Sequence, residues 1–196
     1  MEFKVFSLRV LLETLGLEEV RNILATFKGI TTKTSAPHDV EVFLRIRAID
    51  FEKSGISSTY LLLDEDTKEL VGFFSLANKP LIFSKKDFQA LSKNKQKAFN
   101  RYGRRLESGG HQVNSYLIGQ LGKNYASSTT ITGKELLTYA CEKIGEAAQI
   151  INTRYIWLEC EDIPKLIEFY TNFGFSVVNN FTSQDNLKVL IMKIEK

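Results

Sequence analysis

Cysteine, histidine and proline are scarce in this chain of 196 residues, which holds two, two and three of them, with a single tryptophan. Cys141 and Cys160 stand alone, at no metal-ligand or redox spacing. That excludes a disulfide framework and points to buried thiols in a reducing compartment. His38 and His111 have no carboxylate or cysteine at ligand spacing, so no bound metal is expected. Long apolar runs are missing too. The best, residues 70–77, is strand-sized, so no membrane span is expected. Glu2 and Glu13 break the apolar pattern that a signal peptide needs, which leaves the cytoplasm as the expected compartment. No Walker loop, no G-x-G-x-x-G after a strand and no serine in a nucleophile elbow occurs. Nucleotide dehydrogenases, metal hydrolysis and hydrolytic triads therefore rank low. No internal repeat and no Pro/Gly/Ser-rich linker divides the chain.

What is present is ordinary for a globular protein: 43% hydrophobic and 25% charged residues. The length suits one generous domain, so residues 1–196 are expected to form a single one. A net charge of +3 does not by itself imply a nucleic-acid partner. Its distribution is uneven, however. Residues 84–106 hold Lys85, Lys86, Lys93, Lys95, Lys97, Arg101, Arg104 and Arg105 against one acid, Asp87. This segment alone carries +7, and the other parts together carry −4. As a solvated helix it would pack Phe88, Leu91 and Phe99 downward; as a functional arm it would dock phosphates.

Periodicity orders the rest. Residues 3–8 alternate like a strand. Val20, Ile23, Leu24 and Phe27 carry helical spacing, and Gly29 is a stop signal. Residues 30–38 read as a polar loop, followed by a second helix with Asp39 as candidate N-cap. Residues 59–63 and 70–76 form a hairpin over the turn 64–68. A strand over 115–121 follows the basic segment. Leu136, Leu137, Ala140, Cys141, Ile144, Ala148 and Ile151 form an apolar stripe that predicts a long helix over 133–150. Residues 155–158 read as a buried strand. Pro164 opens a helix whose inner face is Leu166, Ile167, Phe169, Tyr170 and Phe173, and Gly174 ends it. Two strands, over 175–178 and 187–194, close the chain. The order predicts a mixed α/β sheet covered by helices.

Two features carry chemistry. The strand at Leu117–Leu121 gives way to a loop rich in hydroxyls, Ser127, Ser128, Thr129, Thr130 and Thr132, which opens the long helix with Lys134 in its first turn. Free N–H groups at a helix start suit a phosphate; equally, this is how any capped helix begins. The helix ending in Phe169-Tyr170-Thr171-Asn172-Phe173-Gly174-Phe175 has an aromatic face that reads as core, though Tyr170 brings a hydroxyl that needs a partner or solvent.

In combination, strand, loop, long helix, strand and a helix ending in Phe-Tyr-x-x-Phe-Gly-Phe, the pattern resembles the GNAT N-acetyltransferase superfamily, from about Phe43 to the C-terminus. Residues 1–28 carry no recognised signature. Shorter pieces lean toward the branch of toxin-type acetyltransferases that modify aminoacyl-tRNA: residues 39–45, 58–61, 71–76 and 118–122, with the basic helical insert at 84–106 in a similar position. The resemblance implies an α/β fold with a mainly antiparallel sheet, a splayed central strand pair and flanking helices. It implies acetyl-CoA as cosubstrate, lying between the 115–121 and 155–160 strands, without a metal. Tyr170 would be the general acid. Leu121, Gly122 and Lys123 would bind the pantetheine and polarise the thioester through backbone N–H groups. Ser128, Thr129, Thr130, Ile131, Thr132, Gly133 and Lys134 would occupy the pyrophosphate loop.

One departure stands out. The family's loop is Gln/Arg-x-x-Gly-x-Gly/Ala, and here only Gly133 is kept; Ser128 replaces the long polar residue and Ile131 the first glycine. Either the hydroxyls and Lys134 hold the pyrophosphate instead, the favoured reading, or affinity is reduced. The general base is not legible among Glu107, His111, Glu159 and Glu161, and a water could serve. Cys160 is not expected to form an acyl intermediate, because direct transfer needs no nucleophile. The acceptor amine is open, with tRNA reached through residues 84–106 as one candidate. A homodimer is one assembly open to the chain. The competing reading is a non-catalytic GNAT-fold module that binds CoA or a protein partner.

Overall fold

Ten strands and eight α-helices, in a computed structural model that describes residues 2–31, 37–183 and 185–194, build a mixed α/β architecture. It has a large, mostly antiparallel sheet, a three-stranded sheet and flanking helices. The contacts divide it into two compact units.

The first unit spans Met1–Ala77 and Ile118–Lys143. Alternating apolar residues place β1 (Phe3–Ser7), β2 (Ser58–Asp64), β3 (Leu70–Ala77) and β7 (Ser115–Lys123) in that order across a sheet. β2 pairs antiparallel with both of its neighbours, Val5 opposite Leu62 and Leu61 opposite Phe73. The hairpin 59–63/70–76 is where the sequence puts it. Between β1 and β2 run α1 (Leu8–Leu15), α2 (Leu17–Ala25), α3 (Asp39–Val42), a π-helical turn (Phe43–Arg47) and α4 (Ala48–Lys53). Their apolar faces close on Leu8, Val20, Leu24, Phe27, Leu44, Ala48 and Phe73. Phe73 anchors the cluster, edge-on to Phe27 at 5.1 Å and stacked with Phe43 at 6.2 Å.

α1 is not foreseen from sequence, since residues 8–15 follow a strand with no break. The cap of α3 also differs from expectation. His38 rather than Asp39 occupies the N-cap, its Nδ1 accepting from Val40 N–H at 3.3 Å, because Asp39 already has helical geometry. Of the expected polar loop 30–38, residues 32–36 lie outside the described residues.

The second unit spans Asn78–Leu117 and Ile144–Lys196. Here β8 (Tyr155–Cys160), β10 (Lys188–Lys193) and β9 (Ser176–Thr182) lie side by side, all antiparallel. Three short strands, β4 (Leu81–Phe83), β6 (His111–Val113) and β5 (Gly103–Arg105), make the small sheet. The basic segment supplies α5 (Lys85–Ala90) and α6 (Lys93–Tyr102). Leu91, Phe99 and the half-buried Phe88 pack inward with Phe83, Tyr155, Trp157 and Ile191, as their spacing implies. Ser84 is the cap of α5, and Asp87, the segment's one acid, is its partner in the first turn: Ser84 Oγ accepts from Asp87 N–H at 3.1 Å and donates to its carboxylate at 2.5 Å.

α7 (Gly133–Ile150) keeps the bounds its apolar stripe predicts. α8 (Pro164–Phe173) ends at Gly174, whose φ of +123° is open to glycine and strained for other residues. Its aromatic face is only half covered, for no residue of α8 is fully buried. Both cysteines are free, and no described helix is long and apolar enough to cross a membrane.

Candidate active site

The hydroxyl-rich loop belongs to the first unit, and one side chain anchors its root. Asn124, 8% exposed, follows β7 directly. Its Oδ1 accepts from Lys28 N–H at 2.9 Å and Ala126 N–H at 3.1 Å, while Nδ2 donates to Leu70 O at 2.6 Å. The backbone adds Asn124 N–H to Val71 O and Tyr125 N–H to Lys28 O, each 2.9 Å. Gly122, just before it, has no room for a side chain: a Cβ would lie 2.4 Å from Val40 Cγ1 and 2.7 Å from Phe73 Cε1. Gly122→Ala should therefore cost about 1–3 kcal/mol by overpacking, read as a lower denaturation midpoint.

Beyond Asn124 the loop's donors meet acids. Ser127 Oγ, Ser128 N–H and Ser128 Oγ converge on a single oxygen, Oε2 of Glu69, at 2.9, 2.8 and 2.8 Å. Hydrogen bonds from Ser128, then Ser127, hold the Glu69 carboxyl below the usual carboxylate range. The buried Thr129 hydroxyl bonds Asp64. Thr132 and Glu135 form a capping box at the start of α7: Thr132 N–H and Oγ1 donate to Glu135 Oε2 at 2.8 and 2.6 Å, and Glu135 N–H donates to Thr132 Oγ1 at 3.1 Å.

The hydroxyls expected to face a phosphate are thus mostly engaged by carboxylates. Ile131, in the place of the family's glycine, is 1% exposed and serves packing. Thr130 and Lys134 are exposed, and Lys134 forms no ion pair among the described residues. With Glu135, Thr138, Tyr139 and Glu142 it lines a shallow cleft of about 280 Å3. Lys123 is half-buried, its Nζ 5.6 Å from the Tyr125 ring. Leu121 is half-buried as well.

Tyr170 belongs to the second unit. Its ring packs against Phe169 at 5.0 Å and Phe175 at 6.0 Å. Among the described residues its hydroxyl makes no hydrogen bond. Burial, helped by nearby Cys160, pushes its pKa up to about 12. The hydroxyl is consequently protonated throughout the neutral range and able to donate. Burial first, then Asp162 and Glu161, raises the Cys160 thiol, which disfavours a nucleophilic thiolate. The candidate bases separate cleanly. His111 is spent on structure: it is 3% exposed, Nε2 lies 3.0 Å from Phe99 O, and the ring stacks on Phe88 at 4.2 Å. Glu107 and Glu161 are exposed. Glu159 is half-buried, and burial raises its carboxyl above its ordinary value against the pull of Lys79.

The basic arm gains members that its own segment does not contain. Lys85, Lys86, Lys93, Lys97, Arg101, Arg104 and Arg105 are exposed, whereas Lys95 is half-buried and donates to Val177 O at 2.5 Å. Arg101, Arg154 and Lys193 all lie over the Tyr102 ring, at 5.5, 5.7 and 5.6 Å. Lys193 pairs with Tyr155 across the β8–β10 ladder, which brings it beside Arg154. None of the three cations forms an ion pair among the described residues.

No protein-family model matches the sequence, and no curated protein matches it. Solved structures do. AtaT in complex with acetyl-methionyl-tRNAfMet superposes with a TM-score of 0.64 at 16% identity, covering 98% of this chain and 95% of that one. A tyrosine-to-phenylalanine mutant of KacT gives 0.62 at 15% identity, covering 98% and 95%. AtaTR bound with AcCoA gives 0.59 at 13% identity, covering 98% and 93%. This chain has the GNAT fold. At such identities the likeness is one of fold. Within the GNAT fold the chain keeps the order expected from sequence: strand, hydroxyl-rich loop, long helix, strand and a helix ending in Gly174.

Proposed function

We propose that the protein is an N-acetyltransferase that moves an acetyl group from acetyl-CoA directly to an amine. The observation that carries this reading is Tyr170, an unpaired, half-buried hydroxyl held protonated with a pKa of about 12 at the C-terminal end of α8. In support, structures with this fold include AtaTR bound with AcCoA and AtaT with an acetylated methionyl-tRNA.

The first unit's loop fits a diphosphate by its donor set. Two hydroxyls and an N–H group that converge on one carboxylate oxygen can serve a phosphate oxygen equally well. Lys134 and Thr130 would add to it, and the backbone of Leu121, Gly122 and Lys123 would take the pantetheine. When bound, acetyl-CoA supplies an acyl carbon activated by a thiol leaving group. The amine nitrogen bonds to that carbon, the carbon–sulfur bond breaks, and Tyr170 gives its proton to the departing sulfur. The amine's surplus proton goes to water or to Glu159, whose carboxyl burial raises above its ordinary value.

For the acceptor we favour an aminoacyl-tRNA. The seven exposed cations of the arm, with Arg154 and Lys193 beside Arg101 at the Tyr102 ring, offer phosphates many partners. Filter binding of charged tRNA at rising salt should give a steep slope. In Arg101→Ala and Arg154→Ala the slope should shrink by about one unit for each cation removed. Absence of affinity even at low salt would sink the tRNA acceptor.

The non-catalytic module stays as a second reading because acids already face the loop. Calorimetric titration with acetyl-CoA discriminates: binding followed by thiol release on addition of an amine supports the enzyme, and absence of binding supports the module.

A further inference from the structure

We infer that Glu69 is a built-in competitor for the cofactor's diphosphate, so that acetyl-CoA binds only after this carboxylate leaves the Ser127–Ser128 donors. The inference rests on the reading of residues 121–134 as the acetyl-CoA loop.

Three acids touch that loop, and they are not equivalent. Asp64 also accepts from Asp66 N–H and Thr67 N–H, at 2.9 and 2.8 Å, and so belongs to the hairpin turn. Glu135 closes the capping box of α7 from within the helix it starts. Glu69 has neither duty. Its carboxylate has the loop as its only hydrogen-bonding partner among the described residues, and it forms no ion pair there. It is exposed, so it can rotate into water at little cost.

The contact is also saturating. One oxygen, Oε2, receives Ser127 Oγ, Ser128 N–H and Ser128 Oγ, all within 2.9 Å. A phosphate oxygen needs the same donors, and two anions cannot share them without strong repulsion. Binding is therefore coupled to release of Glu69, and the observed affinity is the intrinsic one multiplied by the fraction of molecules with the loop free. With the loop free in about one molecule in ten, removing the carboxylate tightens binding about tenfold.

The donors are held in place by an internal anion until the external one arrives.

The test is calorimetric titration of the full chain, wild type, Glu69→Gln and Glu69→Ala, with acetyl-CoA and with S-acetylpantetheine, which lacks the diphosphate. Both variants should bind acetyl-CoA about tenfold more tightly, with S-acetylpantetheine affinity unchanged. Wild-type binding that neither variant improves, or an equal gain for both ligands, overturns the role of Glu69 while leaving the acetyl-CoA reading intact. No acetyl-CoA binding by wild type or variants overturns the acetyl-CoA reading itself, and the role of Glu69 with it. Circular dichroism of each variant without ligand checks the fold, and Gln and Ala test the charge with and without side-chain bulk.

Discussion

Tyr170→Phe should slow acetyl transfer by about 10²-fold, the contribution of one positioned general acid, while acetyl-CoA affinity stays within about twofold of wild type. The change removes one oxygen from a ring already packed against Phe169 and Phe175, so the apolar contacts survive. What is lost is the proton. Burial favours the neutral form of this hydroxyl and lifts its pKa to about 12, so the group keeps its proton to donate throughout the neutral range. The alkaline limb of the wild-type rate profile should accordingly show no loss of activity from Tyr170 below about pH 11, one unit short of that value. On the acid side, a fall in activity that tracks protonation of Glu159, above the ordinary glutamate value because burial raises it, would assign the base to Glu159. A flat acid limb would assign it to water. A KM that rises in Tyr170→Phe with kcat unchanged would assign the tyrosine to binding instead.

Asn124→Ala should destabilise the protein by about 2–4 kcal/mol, because it leaves the buried Leu70 O without its donor and takes an acceptor from Lys28 N–H and Ala126 N–H. Leu70 O loses its donor at 2.6 Å and Lys28 N–H loses its acceptor at 2.9 Å. In a chain of this size the loss corresponds to a fall of roughly 5–15 °C in Tm, measured by calorimetry or circular dichroism. The variant should also weaken acetyl-CoA binding, since Asn124 fixes where the loop begins. Asn124→Asp keeps the acceptor toward Lys28 and Ala126 but loses the donor toward Leu70, and it should fall between wild type and alanine. A midpoint unchanged in Asn124→Ala would show that the loop root is held by the backbone alone.

How legible was this in the sequence? Elements long enough to show a period were plain. α7 carries five turns of apolar spacing, and β2 and β3 flank a polar turn, so their bounds could be read directly. The three strands of the small sheet hold three residues each, too few for any alternation to register. Buried acids were hidden for another reason. Glu41 accepts from Gly29 N–H at 2.9 Å and Glu52 from Thr59 N–H at 2.7 Å, and nothing in a charged residue announces that a backbone amide elsewhere in the chain will hold it. Tyr170 could be placed on its helix because Pro164 and Gly174 bracket ten residues. The contacts that define the loop's chemistry could not be read: Glu69 and Ser128 are 59 positions apart, Lys28 and Asn124 96. The Tyr102 cluster was likewise invisible, since two of its cations lie outside the basic segment and arrive by the pairing of β8 with β10. The hydroxyls by themselves read as a phosphate cradle; the fold adds the acids those hydroxyls already serve.

The most direct measurement is the time course of free CoA thiol and acetylated amine, followed together for wild type and Tyr170→Phe with acetyl-CoA and a pool of charged tRNAs. The account predicts that thiol and acetylated aminoacyl-tRNA appear in equal amounts with wild type, and about 10²-fold more slowly with Tyr170→Phe. Equal rates in the two proteins, or bound acetyl-CoA with no thiol released to any amine, would contradict it.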